Sequence, residues 1–70
     1  MTAARITLVR ILNHETRKRF AERLGLSVKV VADLESGRTR KTSHIVRICE
    51  EYNVSLDWLI GITDNCRKPG

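Results

Sequence analysis

Two short segments of helical periodicity, separated by only three residues, constrain the fold of this chain most. Apolar side chains recur at the spacing of one helix face from residue 17 to 24 and again from 28 to 36. Gly25, which follows the first segment, can adopt the left-handed conformation that ends a helix. Ala21 offers a small side chain where two steeply crossing helices would touch. The spacing therefore predicts two helices joined by a tight turn.

Val31 and Leu34 supply the aliphatic anchors that would fix the second helix on the core. Together with the small residue and the glycine, they fit the geometry of a helix-turn-helix unit, whose second helix enters the major groove of DNA. An ordinary helical hairpin uses the same residue types, so the spacing alone leaves both interpretations open.

The rest of the chain also has helical rather than strand periodicity. We predict a compact all-α domain over residues 1–61 and a flexible tail over residues 62–70. The five predicted helices cover residues 3–13, 17–24, 28–36, 44–52 and 56–60, and their predicted N-caps, from the second helix onward, are Thr16, Ser27, Ser43 and Ser55.

Positive charge is unevenly distributed along the sequence. The net charge is +5, but residues 5–47 hold 11 Lys/Arg against four Asp/Glu, whereas residues 48–70 hold two against four. Basic charge concentrated on one part of a domain is the footprint of a polyanionic partner. Arg38, Arg40 and Lys41 stand close behind the second helix of the pair, where they would flank it.

Several other classes of function lack support in the sequence. No stretch approaches the about 18 apolar residues of a membrane span, and no phosphate-binding glycine loop or nucleophile motif occurs. Cys49 and Cys66 lie 17 positions apart without a CxxC partner, so we expect neither a metal site nor a disulfide. We therefore expect a cytoplasmic protein without enzymatic activity, cofactor, small-molecule ligand or membrane association.

The segments TRKRFAERLGLSVKVVADLESG, at residues 16–37, and VSLDWLIG, at residues 54–61, resemble the Cro/repressor helix-turn-helix family of lambdoid phages and bacterial regulators. The resemblance covers about residues 5–61. It implies a five-helix domain that binds a double-stranded DNA operator in a bacterial cell as a homodimer. A Cro-type repressor bound in this way would block RNA polymerase at an overlapping promoter.

The resemblance also implies roles for individual residues. The residues expected to read bases, at the start of the recognition helix, are Val28, Lys29, Ala32 and Asp33. Those expected to contact the phosphate backbone are Arg17, Ser27, Arg38, Arg40 and Lys41. The residues that would form a buried ion pair between the first and third helices are Arg10 and Glu35. Those expected at the dimer interface are His44, Leu56, Trp58 and Leu59.

The chain departs from the family pattern at three places. Arg17 and Val28 stand where the family often has glutamine, so the target site cannot be copied from relatives. His14 and Glu15 replace a Gly-Leu pair, which removes one apolar contact. Asp33 would either accept a hydrogen bond from cytosine N4 or pair with Lys29 one turn earlier.

The first helix carries more apolar surface than one buried face requires. Leu8, Val9 and Leu12 together exceed that face, so either the register of the helix differs from this prediction or these residues contact a partner. The second possibility leads to the alternative function, a protein-interaction module with the same fold, such as an antitoxin or an anti-regulator.

Overall fold

The structure, a computed structural model, describes residues 2–67. Its helices are α1 Thr2–Leu12, α2 Arg17–Leu24, α3 Val28–Ser36, α4 Thr42–Tyr52 and α5 Leu56–Leu59. Among the described residues, strand pairing is limited to one isolated bridge between Val54 and Arg67. The prediction of an all-α fold is confirmed. Residues 68–70, the end of the predicted tail, lie outside the described residues.

The core takes side chains from all five helices. α3 packs against α1 and α2, while α4 packs against α2 and α5. The buried apolar residues are Ile6 and Val9 of α1, Phe20, Ala21 and Leu24 of α2, Val31 and Leu34 of α3, Ile45, Ile48 and Cys49 of α4, and Trp58 and Leu59 of α5. One face of α3 is thus held in the core, and its opposite face is left to solvent.

The turn between α2 and α3 depends on the backbone of Gly25. Its φ is +70°, and the N–H of the next residue, Leu26, donates to the carbonyl of Ala21 at 2.9 Å. A Cβ added at Gly25 would meet no atom within 4 Å. The left-handed backbone, rather than a lack of space, therefore favours glycine here.

The predicted N-caps hold for three of the helices but not for α4. Thr16, Ser27 and Ser55 each accept a hydrogen bond from the backbone N–H three residues later. The prediction that Ser43 caps α4 is wrong, because that helix begins at Thr42 and its first turn has no side-chain cap. Thr42 and Ser43 are both common N-cap residue types, so the sequence does not indicate which residue begins the helix. The ends of α1 and α5 differ from the prediction by one residue, the usual uncertainty of helix boundaries.

Residues 62–67 are joined to the domain by backbone hydrogen bonds and by the side chain of Arg5 of α1. The Arg5 guanidinium donates to the carbonyl oxygens of Trp58 and Thr63 and pairs with Asp64 at 3.3 Å. It also lies over the Trp58 ring, 5.1 Å from the ring centroid. The prediction of a flexible tail does not anticipate these contacts, because they depend on an arginine more than 50 positions away.

A second polar network joins the loop before α2 to α4. The Glu15 carboxylate, which is almost fully buried, accepts from the Tyr52 hydroxyl at 2.5 Å and pairs with Arg23 at 3.3 Å. Arg23 also pairs with Glu51 at 3.3 Å, and its guanidinium lies 4.5 Å from the centroid of the Tyr52 ring. Arg47 pairs with Glu51 at 2.9 Å. Glu15 is therefore an electrostatic link between elements, and not merely a lost apolar contact.

The same network shifts three pKa values in the direction that keeps it intact. Burial raises the pKa of the Tyr52 phenol, and the hydrogen bond to Glu15 raises it further. Hydrogen bonds from Arg47 and then Arg23 lower the pKa of Glu51. The hydrogen bond to Glu15 raises the pKa of Arg23. The phenol thus stays neutral and donates, while the ion pairs stay charged.

Replacing Tyr52 by Phe tests this network, because it removes the hydroxyl and keeps the ring. We expect the free energy of unfolding at pH 7 to fall by about 1.5 kcal/mol, as for a hydrogen bond to a charged group. Since the pKa of Tyr52 is raised in the folded state, its contribution is present below about pH 10 and is lost as the pH rises further. Urea unfolding of both proteins from pH 7 to 11 measures the difference. A difference that stays constant above pH 10 would contradict the assignment.

Candidate nucleic-acid interface

The solvent-facing side of α3 carries all four residues predicted to read bases. Val28 and Lys29, at the start of the helix, are exposed. Ala32 and Asp33, one turn later on the same face, are partly buried. The helix thus presents an apolar side chain, a cation, a methyl group and a carboxylate on one surface.

Asp33 holds the end of α3 through its backbone rather than through its side chain. Its carbonyl oxygen accepts from the N–H of Arg38 at 2.9 Å. Within residues 2–67 its carboxylate forms no ion pair, so of the two alternatives for Asp33 the structure does not contain the pair with Lys29. The carboxylate keeps both oxygens as acceptors on the exposed side of the helix.

The loop between α3 and α4 places three cations beside that surface. Arg38, Arg40 and Lys41 are exposed, and none of them forms an ion pair in the described part of the chain. Lys41 is the N-cap residue of α4, whose first turn lacks a side-chain acceptor. Uncapped N–H groups and the helix dipole favour an anion at this position, next to the lysine.

Arg17 occupies the first position of α2, where the helix dipole also favours an anion. Its side chain is 52% exposed, and its Nε donates to Oε1 of Glu35 at 3.3 Å. Ser27, the N-cap of α3, is exposed as well. Its oxygen accepts from the N–H of Val30, which leaves the hydroxyl hydrogen to donate elsewhere.

Glu35 is the buried centre of the second ion-pair cluster. Its side chain is only 2% exposed, and it accepts from Nε of Arg10 at 2.8 Å and from Nη2 of the same residue at 3.2 Å. The Thr7 hydroxyl donates to Glu35 as well, at 3.2 Å. Arg10 makes a further hydrogen bond to the carbonyl of Glu15 at 2.9 Å. The two residues that the resemblance places in an ion pair between α1 and α3 are thus in contact.

The basic residues fall into two groups that the sequence does not distinguish. Six arginines pair with carboxylates of the described residues; they are Arg5, Arg10, Arg17, Arg19, Arg23 and Arg47. Five cations of residues 5–47 make no ion pair within the described chain; they are Lys18, Lys29, Arg38, Arg40 and Lys41. All five members of the second group are exposed, so their charge, with that of the half-exposed Arg17, is open to an anionic partner.

The predicted dimer interface is only partly accessible. Leu56 is exposed and His44 is partly exposed. Leu59 is 0% exposed and Trp58 is 8% exposed, because both pack into the core of their own domain. Their assignment to the interface is therefore corrected. The exposed apolar neighbour on this side is Ile60 instead.

The outward face of α1 remains apolar in the structure. Val9 is buried in the core, whereas Leu8, Ile11 and Leu12 are exposed, the last of them at 65%. The excess apolar surface predicted for this helix is therefore not absorbed by a different register, since α1 begins and ends within one residue of the prediction.

The described residues lack the features of two other kinds of site. None of their helices is long and apolar enough to cross a membrane. Residues 2–67 also contain no cluster of His, Cys, Asp or Glu side chains that could hold a metal ion.

Comparison with known proteins identifies one family. The sequence profile described as Helix-turn-helix matches residues 7–59, which is well over half of the chain and includes α2, α3 and the loop of cations. Comparisons with curated proteins and with solved structures give no significant match.

Replacing Arg10 by Met tests the importance of the buried carboxylate. We expect the free energy of unfolding to fall by about 3 kcal/mol, the lower end of the range for breaking a buried pair, because Arg17 and Thr7 still donate to Glu35. The double replacement of Arg10 by Met and Glu35 by Leu should recover most of this loss, since neither charge then remains buried. Urea unfolding of the three proteins checks both. A double variant no more stable than Arg10→Met would refute the explanation.

Proposed function

The chain belongs to the helix-turn-helix family of DNA-binding regulators, and from this premise we propose that it is a Cro-type repressor that binds an inverted-repeat operator as a homodimer. One observation carries the proposal. The exposed face of α3 is followed by a loop that carries Arg38, Arg40 and Lys41, which form no ion pair within residues 2–67. That arrangement suits a helix in the major groove between two phosphate backbones.

Base reading is assigned to the exposed face of α3. Lys29 can donate to N7 and O6 of guanine, and the methyl groups of Val28 can pack against the methyl group of thymine. Asp33, whose carboxylate forms no ion pair among the described residues, can accept from N4 of cytosine. Ala32 lies between these contacts and allows close approach. Each good base contact discriminates by about 1–3 kcal/mol.

Phosphate contacts are assigned to both sides of this helix. Arg17 and the Ser27 hydroxyl would contact one stretch of backbone, at the N-termini of α2 and α3. Arg38, Arg40 and Lys41 would contact another, together with the uncapped N–H groups of α4. These contacts position the protein on DNA without reading its sequence.

Dimerisation is assigned to the exposed residues near α5. Leu56 and Ile60 supply apolar surface, and the partly exposed His44 lies in the first turn of α4. Two recognition helices would then enter successive major grooves, with half-sites about one helical turn apart. A dimer bound in this way would repress by occupying a promoter that RNA polymerase needs.

A second candidate function rests on a different surface. The exposed Leu8, Ile11 and Leu12 of α1 fit a protein-interaction module, such as an antitoxin or an anti-regulator. Replacing Arg38 and Arg40 by Glu separates the two functions, because it abolishes DNA binding and leaves the outward face of α1 intact. A protein partner that still binds this variant would support the second candidate.

We expect the affinity for operator DNA to depend steeply on salt. With three to five phosphate contacts per subunit, the slope of log affinity against log salt concentration should be on the order of −5 to −9 for the dimer. Fluorescence anisotropy of a labelled duplex between 50 and 300 mM salt measures the slope. A slope near zero would show that the proposed phosphate contacts do not form.

Replacing Arg40 by Glu should weaken operator binding by at least tenfold at about 100 mM salt, because it turns a phosphate contact into a repulsion. The matched control is Arg67→Glu, which changes the net charge by the same amount. Arg67 lies in the segment after α5 and not in the loop between α3 and α4. Its effect should be small.

The operator sequence is first identified by selection against a random duplex library, where an enriched inverted repeat is the expected result. Equal losses for the two variants would mean that net charge alone controls binding.

A further inference from the structure

The guanidinium of Arg17 faces two environments at once. Its Nε is 3.3 Å from the buried Oε1 of Glu35, while half of the side chain is exposed at the start of α2. Within residues 2–67, Glu35 is the only carboxylate with which Arg17 pairs. A guanidinium has five N–H donors in a rigid fork, so four remain for another acceptor.

The carboxylate that holds Arg17 is itself fixed in place. Arg10 donates to both of its oxygens, at 2.8 and 3.2 Å, and the Thr7 hydroxyl donates at 3.2 Å. All three donors come from two residues of α1, whereas Glu35 belongs to α3. An arginine tethered to such a group loses part of its rotamer freedom before it meets DNA, so less is lost on binding.

We propose that Glu35 is a positioning residue for DNA binding, which orients the Arg17 guanidinium toward a backbone phosphate. The inference deepens the proposed function and rests on it. The family resemblance implies a phosphate contact for Arg17 and an ion pair of Glu35 with Arg10, but nothing in the local sequence pattern connects residues 17 and 35.

The charges of the cluster favour a Glu35 that orients Arg17 over a Glu35 that competes with a phosphate for Arg17. Arg10, Glu35 and Arg17 together carry one net positive charge, because the single carboxylate lies between two guanidinium groups. Arg10 already compensates the carboxylate with two hydrogen bonds. The excess charge therefore resides on the exposed Arg17, where a phosphate would complete the alternation of charges.

Arg17→Lys is the first test, because it leaves the pair of Arg10 and Glu35 untouched. Lysine keeps the positive charge but lacks the planar fork that contacts two acceptors in fixed directions. We expect the salt slope of operator binding to stay close to that of the wild type, and the affinity to fall by about threefold to tenfold. Arg17→Ala should also make the slope of the dimer shallower by about 1.8, the value for one lost phosphate contact in each of the two subunits.

A double-mutant cycle then tests the role of Glu35 itself. Glu35→Gln keeps the size of the side chain and one carbonyl oxygen for Arg10, and its folded fraction is measured by circular dichroism so that affinities refer to folded protein. We expect Glu35→Gln to weaken operator binding about threefold to tenfold in the wild-type background and not at all in the Arg17→Ala background. Lys18→Ala is the matched control, since it removes a neighbouring cation of α2 that has no carboxylate partner in the described chain. In that background the effect of Glu35→Gln should persist in full.

The outcomes separate this inference from the proposed function. Equal effects of Glu35→Gln in all three backgrounds would show that Glu35 acts through the placement of α3, and would overturn the inference alone. Wild-type affinity in Arg17→Lys would overturn it as well. A wild-type protein that is folded but shows no salt-dependent binding to any duplex would overturn the proposed function together with the inference.

Discussion

The buried carboxylate of Glu35 joins the three helices on which the DNA-binding surface depends. It belongs to α3, yet it accepts hydrogen bonds from Arg10 of α1 and from Arg17 at the start of α2. The apolar contacts of Val31 and Leu34 hold α3 on the core, but apolar burial is non-directional and tolerates small rotations of a helix about its axis. Hydrogen bonds to a charged group are directional, so they restrict that rotation and with it the direction of the exposed face.

A second buried carboxylate, that of Glu15, restricts the position of α2 at its other end. Glu15 accepts from Arg23, in the last turn of that helix, and from Tyr52 of α4. The helix that precedes the turn is thus held at its first residue by one carboxylate and at its last turn by another. In a domain of this size the apolar core is small. Ion pairs between elements therefore fix relative helix orientations that a small apolar core alone would fix less tightly. They add little net stability compared with apolar residues of the same size.

The parts of the fold that the sequence predicts well are those set by neighbouring residues. The bounds of α2 and α3 follow from Thr16, Gly25 and Ser27, whose caps and turn act within a few positions. The burial of Trp58 and Leu59 depends on the packing of α5 against α4 and α1, and the contacts of Arg5 reach residues more than 50 positions away; periodicity predicts neither. For the candidate site, the resemblance pointed to the residues beside α3, but the sequence could not separate cations with internal partners from those without. That distinction needs the tertiary positions of the carboxylates.

The separation of the cations changes what the net charge of the protein means for its affinity. Arg5, Arg10 and Arg23 contribute to the total of +5 but are already neighbours of carboxylates, so a phosphate that approached them would displace existing contacts. Counterion release depends on the number of phosphates neutralised, and therefore on the cations that are free to make such contacts. Those cations lie mostly on the loop after α3 and at the start of α2. In the proposed complex the internal pairs would hold the recognition helix in place, and the smaller set of cations that form no ion pair within residues 2–67 would determine the strength of binding.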